Sequence, residues 1–196
     1  DLTIFQAVSL YDEVKISRSD EEGIRISAEG RHEFLPLNQE NLAYKAAAMM
    51  IKEFELEGGI EISIKKEIPI SGGMAGGSAD AGATIVGIDY LFSLGMKRDA
   101  MERLGATLGA DVPFTISGGT AIGTGRGDQI TPVLARGTYN WVLALSSSGL
   151  STPAVFKECD RLREGLQVSQ PHVSDKLMQA LGSGDSVALE IGRAHV

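Results

Sequence analysis

Between Pro69 and Ala83 the sequence runs Pro-Ile-Ser-Gly-Gly-Met-Ala-Gly-Gly-Ser-Ala-Asp-Ala-Gly-Ala. Glycines carry no Cβ, so the backbone N–H groups of such a stretch can close around an anion. A helix that starts inside it adds unpaired N–H groups and the positive end of its dipole. The stretch that could do this opens with Pro69, Ile70, Ser71, Gly72, Gly73, Met74, Ala75, Gly76, Gly77, Ser78 and Ala79 and runs on to Ala83. Ser78 can cap the helix, bond a phosphate oxygen or ligate Mg2+, and Asp80 stands with it at the mouth of the loop. The second candidate is Asp111, in Leu108-Gly109-Ala110-Asp111-Val112-Pro113-Phe114, between an expected helix end and an expected strand start. A carboxylate held there can accept a hydroxyl proton or orient that hydroxyl toward phosphorus, and a capping or turn aspartate fits the same position.

What the loop lacks narrows its chemistry. A Walker A loop needs Lys and then Ser or Thr after its last glycine, whereas Gly77 is followed by Ser78, Ala79 and Asp80. A dinucleotide fingerprint needs an acidic residue at the end of a second strand, and neither Asp89 nor Asp99 is so placed. A nucleophile elbow needs Gly two residues after Ser78, where Asp80 stands. A flexible glycine linker is the plain alternative, but a linker needs no strand and helix locked to its two ends.

Those flanking elements are legible. Ile60, Ile62 and Ile64 alternate with polar residues, which predicts a half-buried strand leading into the loop. Ala81, Ile85, Ile88 and Phe92 recur at helical spacing after it, with Gly95 as the stop. Upstream, Val8 to Ser17 and Ile24 to Ser27 read as two strands joined by the turn Ser19 to Gly23. Asn38 or Asn41 can cap a helix with an apolar face of Leu42, Ala46, Met49, Met50 and Phe54, ending at Gly58-Gly59. Downstream, a shorter helix carries Met101, Leu104 and Leu108 and stops at Gly109. A glycine-studded stretch from Gly118 to Gly127 and a buried-type strand from Trp141 to Leu145 follow. Strands and helices in this mixed order predict an α+β domain.

Ser146 to Ser151 is the expected domain boundary, a run of Ser and Gly. Helices are expected over Thr152 to Leu162 and Ser174 to Leu181, in a remainder too short for a core of its own. The division is therefore 1–147, 148–190 as the opening of a second domain, and 191–196 as a non-native tail. That tail, Ile191-Gly192-Arg193-Ala194-His195-Val196, matches one reading frame of a common sequencing adapter, which leaves His195 without meaning. The first residues begin inside an apolar pattern without Met, as a strand missing its partner.

Composition limits the partners. The 18 basic and 26 acidic residues give a net charge of −8, which argues against broad contact with nucleic acid or an anionic membrane. No stretch has the length of a membrane span and no signal pattern opens the chain. The single cysteine, Cys159, excludes an internal disulfide, fits a reducing cytoplasm and reads as a spectator thiol on a helix. His32 and His172 have no metal-ligand spacing, so no structural zinc is expected. Arg126-Gly127-Asp128 is a coincidental adhesion-like tripeptide, and Trp141 reads as core. Phe156 suits either a core aromatic or a platform on which a base stacks.

Taken together, Pro69 to Ala83, Leu108 to Phe114 and Gly118 to Val133 resemble the GHMP kinase superfamily, whose members phosphorylate small molecules from ATP. The narrower likeness is to an actinobacterial-type branch acting on the 2-hydroxyl of 4-diphosphocytidyl-2-C-methyl-D-erythritol, on the non-mevalonate (methylerythritol phosphate) route to isoprenoid precursors. Phe5 to Val14, Asn41-Leu42-Ala43 and Trp141-Val142-Leu143-Ala144 carry it, and the likeness runs from Asp1 to about Glu190.

The resemblance implies the family's N-terminal α+β fold (ribosomal protein S5 domain 2-like) and the start of its C-terminal domain. It implies Pro69 to Ala79 as the ATP phosphate loop, Asp111 as the catalytic aspartate, and Thr152 and Phe156 as substrate contacts, with Phe156 stacking on cytosine. ATP with Mg2+, a small-molecule acceptor, a cytoplasmic location and a monomer or homodimer are implied as well. Ala75, Ala79 and Gly82 stand where many members have Gly, Ser and Ala, so an unstrained loop requires a negative φ at Ala75. The family's N-terminal motif, with a lysine and a Tyr-His pair, is expected before Asp1, and a C-terminal glycine-rich motif past Glu190. The parent protein is then an active kinase and this piece inactive. Kinases acting on homoserine, mevalonate or a sugar would show much the same loop and Asp111, and a non-catalytic anion-binding domain would keep the loop alone.

Overall fold

The alternation of Ile60, Ile62 and Ile64 continues to Lys66, and all four side chains lie buried on one face of β4 (Gly59–Lys66). The computed structural model describes residues 2–70, 72–144, 151–167 and 172–189. Of all its strands β4 has the most buried face, and it takes the centre of a three-stranded sheet. On one side it pairs antiparallel with β2 (Glu13–Ser19), and on the other parallel with β3 (Ile24–Gly30).

The two strands expected as neighbours are therefore separated by β4. The Ser19 to Gly23 link does not close a hairpin; it crosses the start of β4. A Cβ at Gly59 would lie 1.9 Å from Glu21 O, and the Ile60 N–H donates to Gly23 O at 2.9 Å. The role of Gly59 is to admit that crossing, which corrects its reading as a helix stop.

Asn41 caps α1 (Leu42–Phe54), its Oδ1 accepting the Ala43 N–H at 2.8 Å. The helix ends earlier than expected, at Glu55, which adopts a left-handed φ of 50°. Its Ala43, Ala46, Ala47 and Met50 pack with Ala81, Ile85 and Ile88 of α2 (Gly76–Phe92) and the β4 isoleucines to form the core. Burying each isoleucine contributes about 1.5–3 kcal/mol. Arg18 of β2 stacks its guanidinium 4.3 Å from the Phe92 ring centre and donates to Leu91 O at 3.4 Å, fastening the far end of α2 to the sheet.

After α3 (Arg98–Ala106) the chain forms a short helix, α4 (Val112–Ser117), where a strand was expected beyond Asp111. Pro113 suits a first helical turn, because its missing N–H would have no partner there. Leu108 and Gly109 lie in the link between α3 and α4. A second sheet, ordered β1-β5-β6, joins β1 (Thr3–Gln6), β5 (Thr120–Thr124) and β6 (Gln129–Pro132). β1 pairs antiparallel with β5 and is an edge strand of this sheet. Phe5 of β1 stacks on Phe114 of α4 with ring centres 4.7 Å apart, which ties this sheet to α4.

Residues 141–144 form no strand, and Trp141, Val142 and Leu143 are exposed, so the buried strand and core tryptophan are not realised. A short apolar run becomes a strand only where a neighbour takes its N–H and C=O groups, and no described strand pairs with it. Leu145, most of the expected Ser146 to Ser151 boundary and the 191–196 tail lie outside the described residues. α5 (Thr152–Arg163) and α6 (Asp175–Ser183) form close to where their periodicity places them. α6 buries Ala180 and Leu181, and the Arg136 N–H donates to Leu181 O at 2.9 Å. Among the described residues no helix is long and apolar enough to cross a membrane.

Candidate phosphate-binding site

The glycine-rich segment leaves the end of β4 at Lys66 and enters α2 at Gly76. Its geometry is set by Gly73, with φ 66°, and by Ala75, with φ 54° and ψ 28°. The negative φ expected at Ala75 is not adopted; an alanine in the left-handed region costs about 1 kcal/mol. This strain lets the chain turn abruptly into the helix. The N–H groups of Gly76, Gly77 and Ser78 belong to the first turn and have no intrahelical acceptor, and no side chain among the described residues caps them. Ala79 is the first to close the ladder, donating to Ala75 O at 2.8 Å. Ser78 lies inside the first turn and is not the cap. These amides at a dipole's positive end, with Gly73 and Gly77 exposed, fit a phosphate group. Ser71 lies outside the described residues.

Beneath the loop sits a buried charged group not apparent from the loop sequence. Lys66 forms ion pairs with Asp12, just before β2, and with Asp80 of α2, the latter at 2.9 Å, and all three side chains are 2% exposed or less. Asp12 Oδ1 also accepts the N–H groups of Glu67 and Ile68 at 2.6 and 2.8 Å. A Cβ at Gly76 would lie 2.9 Å from Lys66 Nζ, so the glycine there leaves room for the lysine. Asp80 is under the loop, not at its mouth.

The two carboxylates differ in what they receive. Asp12 is pushed up by burial, but its Lys66 contact and two backbone donors outweigh that and hold it below the usual carboxylate range. Burial dominates at Asp80, whose Oδ1 has no hydrogen-bond partner among the described residues, and its pKa is pushed up to about 6. The signal for Lys66 was present in the sequence. It has the same strand parity as Ile60, Ile62 and Ile64, which places a charge on the buried face and demands an acidic partner there.

Asp111 stands at the start of α4, half-buried, with no capping hydrogen bond from its side chain, and burial pushes its carboxyl up. The packing of α4 on α2 carries it toward the loop. Thr115 Oγ1 donates to Ser78 O at 3.1 Å, and a Cβ at Gly109 would lie 3.9 Å from Ser78 Oγ. Loop and Asp111 segment are thus brought together.

Thr152 and Phe156 are not. Both are on α5, which among the described residues has no hydrogen bond or ion pair to the loop, and Phe156 is 56% exposed, so it is not a core aromatic. Cys159 is a free thiol on α5. Arg126 pairs with Asp128 within the turn between β5 and β6. Among the described residues no three His, Cys, Asp or Glu side chains are placed to hold a metal ion.

Residues 41–119 match the family model of the GHMP kinases N terminal domain. The chain is 49% identical over 189 residues to 4-diphosphocytidyl-2-C-methyl-D-erythritol kinase of Nocardia farcinica, covering 95% of this chain and 61% of the relative. It is 47% identical over 196 residues to the enzyme of the same name from Arthrobacter sp., again covering 95% and 61%. It thus spans about three fifths of the length of these relatives. Among solved structures it resembles a 4-(cytidine 5'-diphospho)-2C-methyl-D-erythritol kinase at 26% identity and TM-score 0.70, covering 93% of this chain and 62% of that one. A homoserine kinase from Cytophaga hutchinsonii, at 18% identity and TM-score 0.65 over 90% and 60% of the two chains, shares the fold.

Proposed function

The chain belongs to the GHMP kinases, and on that premise we propose that the protein it comes from transfers the γ-phosphoryl group of ATP to the 2-hydroxyl of 4-diphosphocytidyl-2-C-methyl-D-erythritol, a step toward isoprenoid precursors. The observation that supports the reading is the first turn of α2, which no described side chain caps, with α4 fastened to it through Thr115 Oγ1 and Ser78 O. The identity to kinases named for that substrate, over 95% of the chain, supports the choice of acceptor.

In this reading the N–H groups of Gly76, Gly77 and Ser78 hold phosphate oxygens and fix the direction of the phosphorus. Ser78 Oγ, 3.9 Å from a Cβ at Gly109, faces the Asp111 segment and can bond the transferring group. Mg2+ bound with ATP would offset the charge of the phosphates, with Ser78 Oγ as the candidate protein ligand. Asp111, free of a capping role and raised by burial, orients the acceptor hydroxyl and takes its proton. Phe156, with its ring exposed, offers a face on which cytosine stacks, and Thr152 joins it as a substrate contact. The division into an ATP-binding unit over 1–147 and the start of a second unit over 148–190 belongs to the same proposal, with 191–196 as a tail. A cytoplasmic protein, monomeric or homodimeric, is the setting this chemistry implies.

The test is phosphoryl transfer by the full-length protein with ATP and Mg2+, offering 4-diphosphocytidyl-2-C-methyl-D-erythritol beside homoserine and mevalonate. Transfer to the cytidylylated acceptor, competed by CDP, is expected. Transfer to homoserine or mevalonate alone moves the protein to another branch of the family, and ATP binding without transfer to any acceptor makes it an anion-binding domain.

A further inference from the structure

The loop's two ends are separated by the turn from 67 to 75, yet the Lys66 group touches both. On the strand side, Asp12 takes the backbone N–H groups of Glu67 and Ile68, the residues on which the chain leaves β4. On the helix side, Lys66 Nζ holds Asp80 at 2.9 Å, one turn into α2, and lies beneath Gly76. Lys66 therefore bridges a carboxylate that fixes the loop's entry and one that fixes its exit.

We infer that Asp12, Lys66 and Asp80 form a positioning clamp for the phosphate loop, setting the angle between the end of β4 and the first turn of α2, and so where its free amides point. This deepens the proposed reading of residues 69–79 as the ATP phosphate loop. Two features indicate a role beyond bulk packing. A buried lysine with two carboxylates is a costly way to fill space, because apolar residues of similar volume commonly stabilise as well or better. The clamp also acts on the strained segment: with Ala75 at φ 54°, the loop needs an external tether on each side to hold its conformation. Neither Lys66 nor Asp80 faces solvent, so their part is to hold the amides that contact the nucleotide.

The test uses the full-length protein and separates hydrogen bonding from charge. Lys66→Met strands two buried carboxylates and is exposed to misfolding, so the Asp80 variants carry the argument. Asp80→Ala removes the tether and leaves the Lys66–Asp12 pair neutral; Asp80→Asn removes the same charge but keeps an oxygen for Lys66 to donate to. For Asp80→Ala the KM for ATP is expected to rise about tenfold, with kcat and the acceptor KM held, and Asp80→Asn is expected to recover most of that rise. Amide hydrogen exchange without nucleotide is expected to quicken across residues 66–80 in Asp80→Ala and not in α3. A folded Asp80→Ala protein with the unsubstituted ATP KM and unchanged exchange overturns the clamp, and so does Asp80→Asn behaving like Asp80→Ala. If the unsubstituted protein uses no ATP at all, the kinase reading fails, and the exchange experiment still decides whether the three residues hold the loop.

Discussion

Thr115 Oγ1 occupies the space that any side chain at position 82 would need: a Cβ added at Gly82 would lie 2.3 Å from that oxygen. The hydroxyl is itself held, its one proton directed between Val112 O at 2.8 Å and Ser78 O at 3.1 Å, so it cannot simply turn away. Gly82 is thus the counterpart of Thr115, and together they set how closely α4, with Asp111 at its head, approaches the loop helix. A mid-helix glycine ordinarily costs about 1 kcal/mol relative to alanine. Here Gly82→Ala is expected to destabilise by about 1–3 kcal/mol, because overpacking outweighs helix propensity. With Thr115→Ala in the background the same change is expected to be neutral or stabilising. Denaturant midpoints across this double-mutant cycle check it, and additive effects would show that the two positions do not compete for space.

The left-handed conformation of Ala75 makes a simpler prediction. Ala75→Gly relieves the Cβ crowding at φ 54° and is expected to raise stability by about 0.5–1 kcal/mol, despite the added freedom of the unfolded chain. Ala75→Val, β-branched in the same conformation, is expected to lower it by more than that. Thermal unfolding of the three proteins orders them; equal melting temperatures would mean that position 75 is not held at positive φ in solution.

The loop and its helix were legible because glycine spacing and apolar periodicity report local structure, and both elements obey it. The helical face from Leu42 to Phe54 was legible for the same reason, and of the two caps its sequence allowed, Asn38 and Asn41, the structure uses Asn41. What failed was non-local. Nothing in Ser19 to Gly23 says that the next strand lies across β4 and not beside β2; that follows from the space at Gly59. Asp111 heads a helix because packing against α2 and α3 stabilises six residues that periodicity cannot resolve. Lys66 shares the parity of the β4 isoleucines, but its partners, Asp12 and Asp80, lie 54 and 14 positions away, and no local pattern links the three.

Asp111 offers a test of chemistry in the full-length enzyme. Asp111→Asn keeps the shape and removes the base, and is expected to lower kcat by about 10²-fold or more while ATP binding survives. Burial raises the Asp111 pKa above its ordinary 3.8, and the base must be deprotonated to accept the hydroxyl proton. Activity of the unsubstituted enzyme is therefore expected to fall on acidification at a pH above the usual carboxylate range. The Asn variant is expected to lack that limb. Turnover within a few-fold of the unsubstituted enzyme, or an unchanged acid limb, would take Asp111 out of the proton transfer.

Asp80 makes the opposite kind of pH prediction, on stability. Its pKa is raised from 3.8 to about 6 in the folded protein, so between those values the folded state binds more protons than the unfolded one. Stability from this group therefore falls as pH rises through the window, by on the order of 1 kcal/mol per pH unit, and is lowest above it. Asp12 acts in the other direction and lower down: its pKa is depressed, so its contribution is present above its unfolded pKa and is lost only as pH falls through the folded one. Between pH 4 and 6 Asp80 dominates the pair, since its burial outweighs the Lys66 contact and its Oδ1 has no donor among the described residues. Relative to Asp80→Asn, which cannot titrate, the unsubstituted protein is expected to gain stability on going from pH 7 to pH 5. Unfolding free energies of the two proteins across that range check it. Parallel curves would mean that Asp80 keeps its charge throughout, and that water or a cation supplies the partner its second oxygen lacks.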